Sequence, residues 1–173
     1  RRVLFRFIEA FGGRGADPGP IVESTWERIL AHREEASPLV RVGISPHAPY
    51  TVSPALYRAL DELARAEGMP IITHVAESAG ELEAIDRGTG PVAEALRALA
   101  EVEPSGMHPV ALMAELGLLR PDVLLVHMVQ ITEEHARMVA AGGAAIAHCP
   151  RSNALLGCGA APLATMLDAG VHV

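Results

Sequence analysis

Four histidines and one glutamate stand at the same kind of position. His47 follows the apolar run "VRVGIS"; His74 closes "PIITH", with Glu77 three positions on; His127 closes "VLLVH"; His148 closes "AAIAH". A neutral imidazole binds a divalent cation or moves protons near neutral pH, and a carboxylate can take a proton from water. A single His at such a place is commonly satisfied by a backbone carbonyl. Four on successive runs favour a centre that binds a metal, moves protons, or does both.

Two readings of His74 and Glu77 stand side by side. His74 suits Zn²⁺, which lowers the pKa of a bound water toward about 7, and Glu77 would then carry the proton to a leaving group. Alternatively Glu77 caps a following helix, a task that Ser78 or Glu81 could serve as well. In "HCPRSN", Arg151 and Asn153 could contact a substrate, yet "LLGCGAAP" after them reads equally as a Gly-rich turn. Cys149 as a nucleophile would need a depressed pKa that the sequence does not supply. His32 and His135 on helices, and His108 in the loop "EVEPSGMHP", are expected to be solvated; His172 is assigned no role.

The elements that must position these groups alternate. Strands are expected at Val3–Ile8, Val40–Ser45, Pro70–His74, Val123–His127, Ala144–His148 and, cut short, Val171–Val173. Helices are expected at Ile21–Glu35, Ser53–Glu67, Pro91–Ala100, Val110–Leu116, Thr132–Ala141 and Leu163–Ala169. Alternation of this kind means a parallel sheet, either an open doubly wound one or most of a barrel. In both, ligands sit beyond the carboxyl ends of the strands, where the histidines are.

Composition narrows the partners. Half of the 173 residues are hydrophobic and 20% are charged, with a formal net charge of −7, which suits one globular domain. That charge disfavours nucleic acid and anionic membranes, and no run reaches the roughly 18 apolar residues of a membrane span. Cys149 and Cys158 match neither a disulfide framework nor a C-x₂-C zinc site, so a reducing cytoplasmic setting is expected. The start "RRVLFRFIEAFGG" is interrupted by Arg6 and Glu9, and no targeting segment is expected.

The segments "GISPHAPYTVSP", "THVAES", "LLVHMVQ", "AHCPRSN" and "GAAPLATMLDAGVHV" follow one another as similar segments do in the amidohydrolase superfamily. The resemblance is to the branch of cytosine deaminases, chlorohydrolases, S-adenosylhomocysteine deaminases and aminodeoxyfutalosine deaminases, nearest to the last. It implies a (β/α)₈ barrel with a metal site at the strand ends, of which residues 1–173 would cover about strands three to eight. It implies His74 as the metal ligand of the fifth strand, Glu77 as proton shuttle, His127 as the residue orienting the attacking water, and His47 facing the substrate. His148 to Asn153 would have a supporting role.

The implied cofactor is Zn²⁺, or another divalent ion such as Fe²⁺ or Mn²⁺. The implied activity is hydrolytic deamination of an aminated purine-like heterocycle. Alternatives are dechlorination of a triazine-type ring, a non-catalytic α/β binding module, and a hydrolase with Cys149 as nucleophile. The family's H-x-H pair is not in this sequence, and its strand-eight Asp would fall beyond Val173. The chain is therefore expected to be a segment of an enzyme, acting on a small heterocycle and prone to association, with a homo-oligomer as one outcome.

Overall fold

The computed structural model describes residues 4–34, 39–97 and 101–173. Five strands, β1 (Leu4–Ala10), β2 (Val40–Pro46), β3 (Ile71–Val75), β4 (Val123–His127) and β5 (Ala145–Ala147), form one sheet in sequence order. Every adjacent pair is parallel. Parallel neighbours need crossovers, and helices supply them. They are α1 (Pro18–Glu34), α2 (Pro54–Ala66), α3 (Ala79–Arg87), α4 (Gly90–Leu96), α5 (Pro109–Glu115), α6 (Glu133–Gly142), α7 (Pro150–Leu155) and α8 (Leu163–Asp168). None of the described helices is long and apolar enough to cross a membrane.

Side-chain alternation decides what the sheet shows on each face. In β3, Ile71, Thr73 and Val75 are buried, whereas Ile72 and His74 are only partly so. Thr73 Oγ1 lies 2.7 Å from Tyr57 Oη of α2, which marks the buried face as the one the helices cover. His74 therefore belongs to the opposite face. The register continues this across the sheet: Glu9 is paired with Ser45, and Ile44 with Ile71, so Glu9, His47 and His74 share the face without helices.

The helices begin where sequence chemistry starts them. Ser53 caps α2 by accepting from Leu56 N at 3.3 Å, Pro54 follows, and Leu56, Tyr57, Leu60 and Ala64 face the core. Gly68 leaves α2 in the left-handed conformation, φ +60°. Thr132 caps α6 with Glu133 and Glu134 in the first turn, at the positive end of the helix dipole.

Several expectations change. β1 ends at Ala10, two residues beyond the expected limit, because Glu9 and Ala10 continue the ladder with Ser45 and Pro46. α3 and α7 were not expected. α3 has only a short apolar face around Ala84 and Ile85, and α7 runs through "PRSN" and ends at Leu155, where the stretch that read as a Gly-rich turn begins. The expected sixth strand is a single parallel bridge, Ala145 to His172, with Ile146 N donating to His172 O at 2.8 Å. Val3, Glu35 and residues 98–100, which were assigned to elements, lie outside the described residues.

Candidate functional site

Three imidazoles form an arc over the carboxyl ends of β2, β3 and β4. The ring centroids of His47 and His74 are 5.0 Å apart, and those of His74 and His127 are 5.4 Å apart. Phe11 extends the arc beyond β1, its ring 4.7 Å from His47. Backbone bonds hold the arc level: His47 N donates to Ala10 O at 3.1 Å, and His74 N to His47 O at 2.9 Å.

Each ring is gripped through the same nitrogen. His74 Nδ1 lies 2.8 Å from His47 O, which can only accept, so Nδ1 carries the proton. His127 Nδ1 donates to Asn153 Oδ1 at 2.7 Å in a buried pair. Thr51 Oγ1 donates to Ala48 O at 3.2 Å, leaving its lone pairs to accept from His47 Nδ1 at 2.7 Å. All three Nε2 atoms are thereby left for other work. Holding Nδ1 from behind is the arrangement that fixes the tautomer of metal-ligating and catalytic histidines.

Alternation alone would not complete the arc. The register pairs His127 with Val75, which faces the helices. His127 at φ +75° and Met128 at φ +50° depart from strand geometry, and the imidazole stacks on His74. Ala76, at φ +52°, does the same just after β3. Among the described residues these three are the only non-glycines at positive φ, a conformation that costs about 1–2 kcal/mol per residue.

Glu77 and Glu81 divide the two acidic tasks. Glu77 Oε1 lies 3.3 Å from His127 Nε2, so a proton can sit on or move along that line. Ser78 caps α3, accepting from Glu81 N at 3.2 Å; the capping alternative for Glu77 is thus filled by its neighbour. Glu81 is 0% exposed and accepts from Ala76 N at 2.8 Å and Glu77 N at 2.7 Å. Burial pushes its carboxyl up to about 7 despite those N–H bonds, with the Glu77 charge adding to the rise. Burial, then the neighbouring His74, lowers the pKa of His47. Tyr50 stands edge-on to His47, centroids 5.8 Å apart, and burial raises its phenol to about 12.

Glu9 joins the site without having been expected there. One ligand atom each from Glu9, His47 and His74 lie within 4.8 Å of one another. A carboxylate beside two imidazoles whose Nδ1 atoms are already bonded is a donor set that suits a divalent cation. Its signal was the alternation within β1, hidden by ending that strand at Ile8. Thr51 and Glu81 were likewise invisible as partners until the turns brought them close.

His148 stands apart from the arc, lining a cavity of about 450 Å³ with Asn153 and Gly157. His108 and His135, expected to be solvated, are only partly exposed. Their rings stack at 3.7 Å, and His108 Nε2 donates to Gln130 O at 2.9 Å while its Nδ1 accepts from Val110 N. Burial lowers the pKa of both. Gln130 in turn donates from Nε2 to Cys158 O at 2.7 Å and from its backbone N to Ala76 O at 2.8 Å. It ties the loops after β3, β4 and α7 around the mouth. Cys149 and Cys158 are both free thiols.

Comparison with known proteins bears on the sequence and the fold. Residues 20–173 match the model of the amidohydrolase family. An aminodeoxyfutalosine deaminase of Deinococcus radiodurans is 43% identical over 146 residues, which are 79% of this chain and 35% of that protein. A zinc-bound adenosine deaminase structure from Xanthomonas campestris superposes with TM-score 0.73 at 27% identity, covering 98% of this chain and 35% of the other. The Helicobacter pylori aminofutalosine deaminase, in complex with methylthio-coformycin, superposes with TM-score 0.83 at 22% identity, covering 96% and 41%. The chain thus spans little more than a third of the length of these proteins. Their fold is the amidohydrolase (β/α)₈ barrel, and this sheet is an arc of it. With its parallel strands, its histidines at their carboxyl ends and a family match over most of its length, the chain belongs to the amidohydrolase family.

Proposed function

We propose that residues 1–173 form part of one barrel domain of a metal-dependent deaminase acting on an aminated purine nucleoside or a related heterocycle. The observation that carries this is the arc itself: three imidazoles held through Nδ1, with a carboxylate at His127 Nε2. The similarity to deaminases narrows the reaction from hydrolysis in general to release of ammonia.

His74 Nε2 would hold the metal, with the Glu9 carboxylate within reach of the same point. A bound Zn²⁺, Fe²⁺ or Mn²⁺ supplies Lewis-acid activation of water. Glu77 takes a proton from the attacking water at a carboxylate oxygen and delivers it to the departing nitrogen. The ring carbon gains oxygen, its C–N bond breaks, and ammonia leaves. His127, held by Asn153, shares the Glu77 proton at Nε2 and orients the water. His47 presents Nε2 to the substrate as an acceptor. Two free thiols are in keeping with a cytoplasmic setting.

The test is ammonia release by the full-length protein from a panel of aminopurine nucleosides, with metal content measured alongside. Glu77→Gln should lower turnover by at least ~10²-fold while metal stays bound. Unchanged turnover would remove Glu77 from the reaction. Chloride release from a chlorotriazine, with no ammonia from the nucleosides, would move the protein to the chlorohydrolase side of the family.

A further inference from the structure

We propose that Glu81 is a positioning residue that holds the turn from which Glu77 reaches His127. This rests on the reading of Glu77 as the proton carrier, and it starts from an oddity of capping. In the usual box the acid at the third helical position accepts from the N-cap's own N–H. Here Ser78 is the N-cap and Glu81 stands at that third position, but its two oxygens accept instead from Ala76 N and Glu77 N, the two residues before the cap. A carboxylate is buried to 0% exposure to bridge two consecutive N–H groups.

Those two groups belong to the strained turn. Ala76 has φ +52°, and its carbonyl accepts from Gln130 N at 2.8 Å. The peptide is therefore clamped from both sides, by Glu81 on its N–H and by the loop after β4 on its oxygen. Glu77 follows at once, its own N–H pinned and its side chain 3.3 Å from His127 Nε2. Each of the two N–H groups has a carboxylate oxygen of its own. Glutamine offers a single acceptor oxygen, and aspartate is a methylene short. Without the clamp, Ala76 relaxes from its left-handed conformation and Glu77 loses its aim.

The test compares Glu81→Gln and Glu81→Asp with the full-length wild type, and a melting curve confirms that at least one is folded. Amide hydrogen exchange should quicken at Ala76 and Glu77 by roughly ten-fold or more, with α2 unaffected. The His127 imidazole ¹⁵N shifts should move in the direction produced by Glu77→Gln. Unchanged exchange at these amides, or unmoved His127 shifts, would overturn the inference whether or not turnover is seen.

With 5-methylthioadenosine or adenosine as probe, Glu81→Gln should cut kcat by roughly 10–100-fold at unchanged KM. In a Glu77→Gln background it should cost nothing further, since it acts through that side chain. Effects that multiply in the double variant would mark Glu81 as a general structural residue and refute the proposal. A Glu77→Gln enzyme at full turnover would instead refute the reading of the site, while the exchange and ¹⁵N results still judge Glu81.

Discussion

The two ends of the sheet are built to opposite rules. At the amino ends of the strands, Arg120 bonds Asp61 at 2.6 Å and Asp122 at 2.7 Å, and Asp61 also takes Arg65 at 2.9 Å. Arg33 and Glu67 pair nearby at 2.8 Å. Charges there are matched, and the left-handed residues are glycines, among them Gly68 ahead of β3, Gly117 ahead of β4 and Gly143 ahead of β5. At the carboxyl ends, Ala76, His127 and Met128 all sit at positive φ, and histidines face one another with few opposite charges between them. Backbone strain gathers at the end that carries the histidines and is held there by surrounding bonds, while the far end carries the matched ion pairs.

Substitutions at the two ends should therefore separate folding from turnover. Arg120→Met leaves Asp61 with Arg65 alone; both Arg120 and Asp61 are largely buried, at 14% and 12% side-chain exposure. It should lower unfolding free energy by about 2–4 kcal/mol in denaturant titrations, with kcat of the folded enzyme unchanged. A loss of kcat at unaltered stability would erase the distinction between the ends.

The site end should show the reverse in its pH response. Glu81 is raised from 4.5 to about 7 by burial, so the unfolded chain releases this proton at lower pH than the folded one. The stability it contributes is full below about pH 4.5 and is lost as pH rises through about 7. Relative to Glu81→Gln, the wild type should gain of order 1–3 kcal/mol between pH 7 and pH 4.5. A gap independent of pH would mean that Glu81 is not strained by burial.

The smallest expected effect sharpens the contrast most. Asn153 is 1% exposed and touches His127 at Nδ1 only from behind. Asn153→Leu should lower kcat by roughly 10–100-fold with little change in KM, and Asn153→Asp, which still accepts from Nδ1, should recover much of it. Equal loss in both variants would point to packing rather than to the His127 tautomer.

Much of the fold was legible in the sequence, and the reasons are local. Val and Ile runs ending in His, Ser53-Pro54, Gly68 and Thr132 each carry their own instruction, and strands β2 to β4 lie where those signals put them. What escaped depended on contacts between distant segments. Glu9 enters the site through strand register with Ser45, the bond of His127 to Asn153 is made by a six-residue helix although Asn153 itself was legible, and Glu81 enters through a turn whose φ no residue type announces. His127 shows both sides: its place at a strand end could be seen, but its swing onto His74 depends on a left-handed backbone. His108 and His135 read as surface residues because neither is apolar, yet each is the other's packing partner.

The orientation of the three imidazoles is the claim on which the rest stands, and long-range ¹H–¹⁵N NMR of the histidine side chains in the protein measures it directly. Nδ1 of His47, His74 and His127 should all carry hydrogen, as their bonds to Thr51, the His47 carbonyl and Asn153 require. An unprotonated Nδ1 on His74 or His127 would mean that the rings turn the wrong nitrogen to the mouth, and neither the metal ligand nor the proton partner of Glu77 could then be where it is placed.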